Sequence, residues 1–405
     1  MSCSEWKEYR LEEICLEITD GSHASPKSVK KGYPMASVKD MNYFDINIET
    51  CRQISEEDYN KLKKGNCKPR LNDVLIAKDG SYMKYVNVVN KEEDLVILSS
   101  IAILRPNINI VNPNFLKYYL LSPNVKLDLE QGYVSGSVIR RIVLKDFKRF
   151  PIKLPTLEEQ EKISNILSSL DNKIKLNNEM NKTLEEIAQS IFKRWFIDFE
   201  FPNENGKPYK SSGGEMVESE LGMIPKGWEV TQIDKISQVT MGVSPSSKTY
   251  NEENIGLPLL NGAADFEGKI IKPNKFTSEP KKICKKGDMV FGVRATIGNI
   301  VFADKEYALG RGVASIKIND KLFREFIYYS LENSMENLIN NATGSVFLNL
   351  KKADIEDLKV CYSKNIVVKF NNIAKELIDN IVQNHIENQL LKQQREILLY
   401  KLLVV

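Results

Sequence analysis

LEEQEKISNILSSLDNKIKLNNEMNKTLEEIAQSIFKRW, from Leu157 to Trp195, decides the fold, because its apolar residues recur at alternating steps of four and three. The seam runs through Ile163, Leu167, Leu170, Ile174, Asn177, Asn181, Leu184, Ala188, Ile191 and Trp195. A second stretch, KNIVVKFNNIAKELIDNIVQNHIENQLLKQQREILLYKLL from Lys364, steps in the same way through Phe370, Ala374, Leu377, Ile381, Asn384, Asn388, Leu391, Arg395, Leu398 and Leu402. Such a seam marks helices that pack on one another along their length. The predicted helices, Leu157 to Ile197 and Lys364 to Val405, each extend roughly 60 Å at 1.5 Å per residue, more than the face of a small domain. Two asparagines interrupt each seam near its midpoint. Antiparallel pairing sets Asn177 against Asn388 and Asn181 against Asn384. The same register sets Ile174 on Leu391, Leu184 on Ile381, Ala188 on Leu377, Trp195 on Phe370 and Ile163 on Leu402, and leaves Leu170 poorly matched to Arg395. A parallel pair would also align the asparagines. Antiparallel is favoured because both helices close equivalent domains of one chain, and a pseudo-two-fold axis relating tandem domains runs them in opposite directions.

Those domains are the two halves of an internal repeat. Trp6, Leu11 and Ile14 open the first half, and Trp228, Ile233 and Ile236 open the second at the same spacing. NDVLIAKDGSYMKYV from Asn72 matches GDMVFGVRATIGNIV from Gly287, AILR from Ala102 matches ASIK from Ala314, and FLKYYLL from Phe115 matches FIYYSLE from Phe326. Gly136-Ser137-Val138 with Asp146, Phe147, Phe150 and Ile152 recurs as Gly344-Ser345-Val346 with Asp354, Ile355, Leu358 and Val360, at a constant offset of 208 residues. Strand patterns of period two mixed with short helices predict an α+β fold in each half. The predicted organisation is an α+β domain at 1–156, a spacer helix at 157–200, an irregular linker rich in Gly, Pro, Ser and Lys at 201–227, a second α+β domain at 228–363 and a second spacer helix at 364–405. Thr156 with Glu159 forms a capping box for the first helix.

Bulk composition narrows the function. The chain has 405 residues, 27% of them charged, and a net charge of +3, mildly basic for a protein that would hold nucleic acid unaided. It has no apolar run long enough to span a bilayer and no signal-like start, which predicts a cytoplasmic protein with no membrane contact. The six cysteines form no C-x-x-C pair and His23 and His385 are the only two histidines, so neither a disulfide framework nor a metal site is expected. There is no G-x-x-x-x-G-K-[ST] loop and no G-x-G-x-x-G after a strand. Asn112-Pro113-Asn114-Phe115 is a distant echo of a methyltransferase N-P-P-F motif, but reads better as a cap and turn before the helix at Phe115. With no nucleophile elbow and no nuclease carboxylate–lysine cluster in either half, binding is expected rather than catalysis.

Four stretches carry a resemblance: ITDGSHASP from Ile18, LPTLEEQEKISNILSSLDNKI from Leu154, IFKRWFIDFE from Ile191 and MVESELGMIPKGWEV from Met216. Together they resemble the specificity subunits of type I restriction–modification enzymes over essentially the whole chain. The first half lacks the P-x-G-W lead-in found at Pro225–Trp228, and the second helix lacks the E-E-Q start. The resemblance implies that each half is a target-recognition domain reading one part of a split double-stranded DNA target. It implies that the helices set the gap between the parts and dock two methyltransferase subunits, with two restriction subunits joining. S-adenosylmethionine, ATP and Mg would then belong to those partners, and this chain would hold no cofactor. Two rivals remain: the specificity subunit of an enzyme whose single partner both methylates and cuts, and a coiled-coil scaffold carrying two protein-binding modules.

Base readout needs polar side chains on loops. In the first half the candidates are Ser22, His23, Ser25, Lys27, Lys30 and Lys31, then Lys78, Ser81, Tyr82 and Lys84, then Arg140 and Arg141. In the second they are Ser244, Ser246, Ser247 and Lys248, then Arg294, Thr296 and Asn299, then Arg311 and Asn349.

Overall fold

Val74-Leu75-Ile76-Ala77 is apolar at every position, as a strand buried on both faces must be. It is the strand around which the first half is built. The computed structural model describes residues 6–80, 83–135, 141–294, 297–341 and 349–403. The chain divides into unit 1 (1–175 with 389–405) and unit 2 (176–388), so each unit takes a piece of both long helices.

In unit 1, strand Val74–Ala77 lies between Val86–Val88 and Ile101–Pro106, with Cys15–Asp20 beyond the latter, all antiparallel. Successive side chains point to opposite faces. Val74, Ile76 and Leu104 enter one core with Phe115, Tyr118 and Phe150, whereas Leu75, Ala77 and Ile103 enter another with Ile97. Helix Pro113–Leu121 covers the first core. It starts where Asn112 accepts the N–H groups of Asn114 and Phe115 at 2.9 and 3.1 Å with Pro113 in the first turn, so this tetrapeptide is a cap. The second face carries a small sheet, Arg52–Ile54, Tyr33–Ala36 and Val96–Ile97, the last two parallel. Lys7–Arg10 pairs with Pro151–Leu154 and ties the two ends of the domain together. At the sheet's lower end the buried Asp73 takes a forked pair of bonds from Arg105, both 2.9 Å, the planar geometry that makes a buried carboxylate tolerable.

Unit 2 repeats this plan. Ser237–Met241, Val313–Ile318, Met289–Gly292 and Gly298–Phe302 are ordered as in unit 1. Met289, Phe291 and Ile316 enter the larger core with Phe326, and Val290 and Val313 enter the smaller one. Leu257–Leu260 runs parallel to Tyr307–Leu309, and Glu229–Gln232 pairs with Lys359–Tyr362. Asp288 stands where unit 1 has Asp73. Burial raises its carboxyl pKa, opposed by Lys317 at the place of Arg105.

The first long helix is α-helical over Leu157–Phe192 and then widens into a π turn at Lys193–Ile197. Thr156 and Glu159 make the reciprocal bonds of a capping box, each 3.3 Å, and the Thr156 hydroxyl also donates to the Glu159 carboxylate at 3.1 Å. The second long helix covers Lys364–Leu403. The stretch expected to be irregular, 201–227, contains a hairpin of Met216–Ser219 and Gly222–Pro225. Phe201 stacks on Tyr209 at 4.6 Å and packs on Trp228 at 5.0 Å. Turn residues break its pattern, yet the aromatic residues between them are held by unit 2's core.

Candidate nucleic-acid interface

Three loops of unit 1 meet at one end of the four-stranded sheet, where Asp20, Ala77 and Ile101 lie side by side. Gly21 lets the first loop leave. Its N–H donates to the Ile101 carbonyl at 3.2 Å, Ser22 N–H donates to Ile97 at 2.8 Å, and a Cβ at Gly21 would sit 2.2 Å from the Ile97 oxygen. Gly242 does the same in unit 2. It donates to Val313 at 3.0 Å, Val243 donates to Leu309 at 2.9 Å, and a Cβ there would be 2.1 Å from the Gly310 oxygen. The last loop is pinned identically in both units. Ile142 donates to Lys78 at 3.1 Å and Leu350 donates to Val293 at 3.0 Å, with Asp79 bridging Arg141 in one case and Arg294 bridging Asn349 in the other.

The predicted readers fall into distinct groups on this frame. Lys78 is buried, its ammonium 2.8 Å from Asp20, so it ties the first two loops together and is not presented to solvent. Its counterpart Val293 is also buried. The position is the inward-facing end of a strand, which a local reading of K-D-G as a turn does not reveal. Ser22 is buried as well, its hydroxyl donating to Ala24 at 2.8 Å. His23 is exposed beside Asp20 at 3.3 Å, and Arg141 is exposed near the same cluster through the Asp79 bridge. Ser25, Lys27, Lys30 and Lys31 are exposed on the loop between Gly21 and Tyr33, and exposed Lys84 lies 5.1 Å from the Tyr85 ring. In unit 2, exposed Arg294 donates to Asn349 at 3.1 Å, and the Arg311 N–H meets Ser244 Oγ at 3.4 Å. Ser246, Ser247 and Lys248 are exposed, as is Asn299, which has a φ of 50° at the strand's start. Ser81, Tyr82, Arg140 and Thr296, with the two Gly-Ser-Val turns, lie outside the described residues. Arg52 was not among the candidates. Its guanidinium donates to Pro26 at 3.0 Å and anchors the lysine-bearing loop from a strand 26 residues away, a link with no local sequence signal.

The helices meet in each unit in the antiparallel sense. In unit 2, Asn177 donates to Asn388 at 2.9 Å and to Glu387 at 2.7 Å, Asn384 donates to Asn181 at 2.8 Å, and Asn388 donates to Asn178 at 2.9 Å. Ala188 and Ala374 join Phe192, Phe196 and Phe370 in the core, and Trp195 meets Phe370 edge-on at 6.3 Å. Leu377 packs on this core, Ile381 is buried and Leu184 half-buried. In unit 1, Ile163 and Leu167 cluster with Leu398, Leu399, Leu402 and Leu403, while Ile174 is buried and Leu391 half-buried. Arg395, the poor match for Leu170, is buried and ion-paired with another residue of the first helix. It donates to Asp171 at 2.8 Å, and its guanidinium lies 4.0 Å from the Tyr43 ring centroid. Asp171 also accepts from Tyr118 at 2.9 Å and from Lys117 at 3.2 Å. Burial pulls the Lys117 pKa below the usual lysine value, against the opposing pull of Asp171.

Among the described residues no three His, Cys, Asp or Glu side chains are placed to hold a metal ion, and no helix is long and apolar enough to cross a membrane. Cys51, Cys284 and Cys361 are free and buried and Cys15 is half-buried; burial pushes each of these thiols up to about 12.

Known proteins share this arrangement. The family model described as the type I restriction modification DNA specificity domain matches twice, over residues 3–216 and 225–391. A putative type I restriction enzyme MjaX specificity subunit of Methanocaldococcus jannaschii is 30% identical over 88% of this chain and 82% of its own length. The type I restriction enzyme HindI specificity subunit of Haemophilus influenzae is 24% identical over 99% of both chains. The crystal structure of a type I restriction–modification S subunit from M. genitalium has the same fold, with a TM-score of 0.61 at 16% identity over 99% of this chain and 97% of that one.

Proposed function

The chain belongs to the type I restriction–modification DNA specificity family, and from that premise we propose that it reads a bipartite double-stranded DNA target, one part with each unit, and performs no chemistry itself. One observation carries the reading. The same backbone bonds gather the same three loops in both units, while the side chains they present differ: Asp79 with Arg141 in one, Arg294 with Asn349 in the other. A constant scaffold with variable polar tips is what two half-sites of unrelated sequence require, because position is set by backbone geometry and sequence is read by side chains. Charge supports a shared grip. At a net +3 the chain offers little phosphate attraction of its own, so affinity comes with its partners. Those partners are two methyltransferase subunits carrying S-adenosylmethionine and two restriction subunits carrying ATP and Mg, assembled in the cytoplasm.

Mapping methylated adenines genome-wide with the gene present and deleted tests the proposal. A split motif that disappears on deletion is expected, and an unchanged methylome overturns it. Within the complex, Arg294→Ala should relax one half-site by about 1–3 kcal/mol and leave the other intact. A uniform loss over all sequences would make Arg294 a phosphate contact.

A further inference from the structure

The tip of the central strand carries opposite charge in the two units. Backbone bonds establish which residues correspond. Ile142 donates to the Lys78 carbonyl and Leu350 to that of Val293, and the next residue in each case, Asp79 or Arg294, bridges the last loop. Two strands over, Asp20 stands opposite Ala102, and Met241 stands opposite Ala314 at the same step of the repeat. The inner layer at this end is therefore an ion pair in unit 1, Lys78 with Asp20 at 2.8 Å, and apolar in unit 2, Val293 with Met241. The outer position then sets the sign: a carboxylate at Asp79, a guanidinium at Arg294.

Asp79 presents one oxygen. Its Oδ1 is enclosed, 3.8 Å from the Lys78 ammonium, while the side chain as a whole keeps 32% of its surface exposed, which falls to Oδ2 and the methylene. A carboxylate does not hold phosphate, which carries the same charge. Against a base edge it selects. Guanine and thymine turn acceptor oxygens into the major groove and are repelled. Adenine sets its N7 acceptor beside its amino group. Cytosine alone offers an amino donor with no acceptor on its own edge. Arg294 is the converse. It is exposed, and its Nε donates to Asn349 Oδ1 at 3.1 Å, which fixes the plane of the guanidinium. Its two terminal NH2 groups match the O6 and N7 acceptors of guanine side by side.

We infer, resting on the DNA-reading role proposed above, that Asp79 and Arg294 determine specificity at the equivalent point of each unit. Asp79 requires cytosine by accepting from its 4-amino group through Oδ2. Arg294 requires guanine by donating to O6 and N7, with Asn349 as its positioning residue. One backbone frame thus reads opposite edges of a G·C pair in its two copies, because the charge at the strand tip is reversed while the bonds that hold the tip are kept.

The test uses the complete complex with its methyltransferase partner. The wild-type methylome should show a split motif with a G·C pair in each half. A split motif that is lost on gene deletion, yet has a half without any G·C pair, would overturn the assignment and leave the DNA-reading role standing; a methylome that deletion does not change would remove that role as well. Asp79→Asn replaces the carboxylate by an amide, whose donor and acceptor suit adenine. One position of one half should then admit adenine in place of cytosine, its discrimination falling about five- to a hundredfold, with the other half unchanged. Binding of the wild-type complex to duplexes with single modified bases identifies the edge that is read, whether or not the variant assembles. 2-Pyrimidinone, which lacks the 4-amino group, replaces each cytosine of the target in turn, with the same replacement in the unread spacer as baseline. At one cytosine it should weaken binding by that factor, and 7-deazaguanine at the paired guanine should not. Loss with 7-deazaguanine alone at every G·C pair of both halves would mean that Asp79 merely steadies Arg141 against guanine, and would overturn the inference. In the half relaxed by Arg294→Ala, indifference to 7-deazaguanine would overturn it for Arg294.

Discussion

The two units close their share of the helix pair by different chemistry. Unit 1 buries a charged knot of Asp171, Arg395, Lys117 and Tyr118, with the guanidinium on Tyr43. Unit 2 relies on asparagine amides, which bond one another and the Glu387 carboxylate, followed by a stack of Phe192, Phe196, Phe326 and Phe370. Both halves of the repeat need the junction between domain and helix held firmly, and both solutions satisfy the fold. They differ in how they fail. A buried ion pair adds little net stability over an apolar replacement, but losing one member strands the others, whereas an amide pair strands only neutral groups.

Four variants break or sharpen that contrast. Asp171→Ala leaves Arg395 and Lys117 buried without their carboxylate and should destabilise unit 1 by about 3–5 kcal/mol. Chemical denaturation should show its transition moving to lower denaturant. Asn388→Ala removes the amide that accepts from Asn177 and donates to Asn178 in unit 2, while Asn177 keeps its bond to Glu387, and should cost less, about 1–3 kcal/mol, by the same measurement. Replacing the whole knot, Lys117→Met with Asp171→Leu and Arg395→Met, should recover most of what Asp171→Ala loses, because no charge remains to be buried. A triple variant as unstable as Asp171→Ala would show that the knot acts by shape rather than by charge.

The smallest effect is on pH. Burial raises the Glu185 pKa, with Lys269 opposing and Glu332 adding to the rise. The folded state then holds that proton more tightly than the unfolded chain does. The cost of the ionised carboxyl is felt above the folded pKa and fades as pH falls through it toward the ordinary glutamate value. Mild acidification therefore relieves unit 2 at this site. Glu185→Gln should raise the melting temperature at neutral pH and flatten its rise on acidification; an unchanged pH profile would place the carboxyl in water.

Much of this was legible beforehand where the signal is periodic. Helix packing repeats every three or four residues, so the seam and its paired asparagines could be read from the chain, as could the Thr156 cap. The site was less legible. Lys78 looks like a loop lysine in K-D-G, and only its partner Asp20, 58 residues away, shows that it faces inward. Arg395 looked misplaced on the seam because its carboxylate, Asp171, sits one residue off the expected position.

Local order along the chain thus determined the duplication and the two long helices with their seams, since each rests on spacing that a linear pattern records, whereas the opposed directions followed from the tandem repeat and not from the seam itself. Tertiary structure alone decided which polar side chains are consumed inside and which reach solvent. Those outcomes depend on residues far apart in sequence arriving together, and burial and charge pairing belong to the assembled neighbourhood rather than to any one stretch.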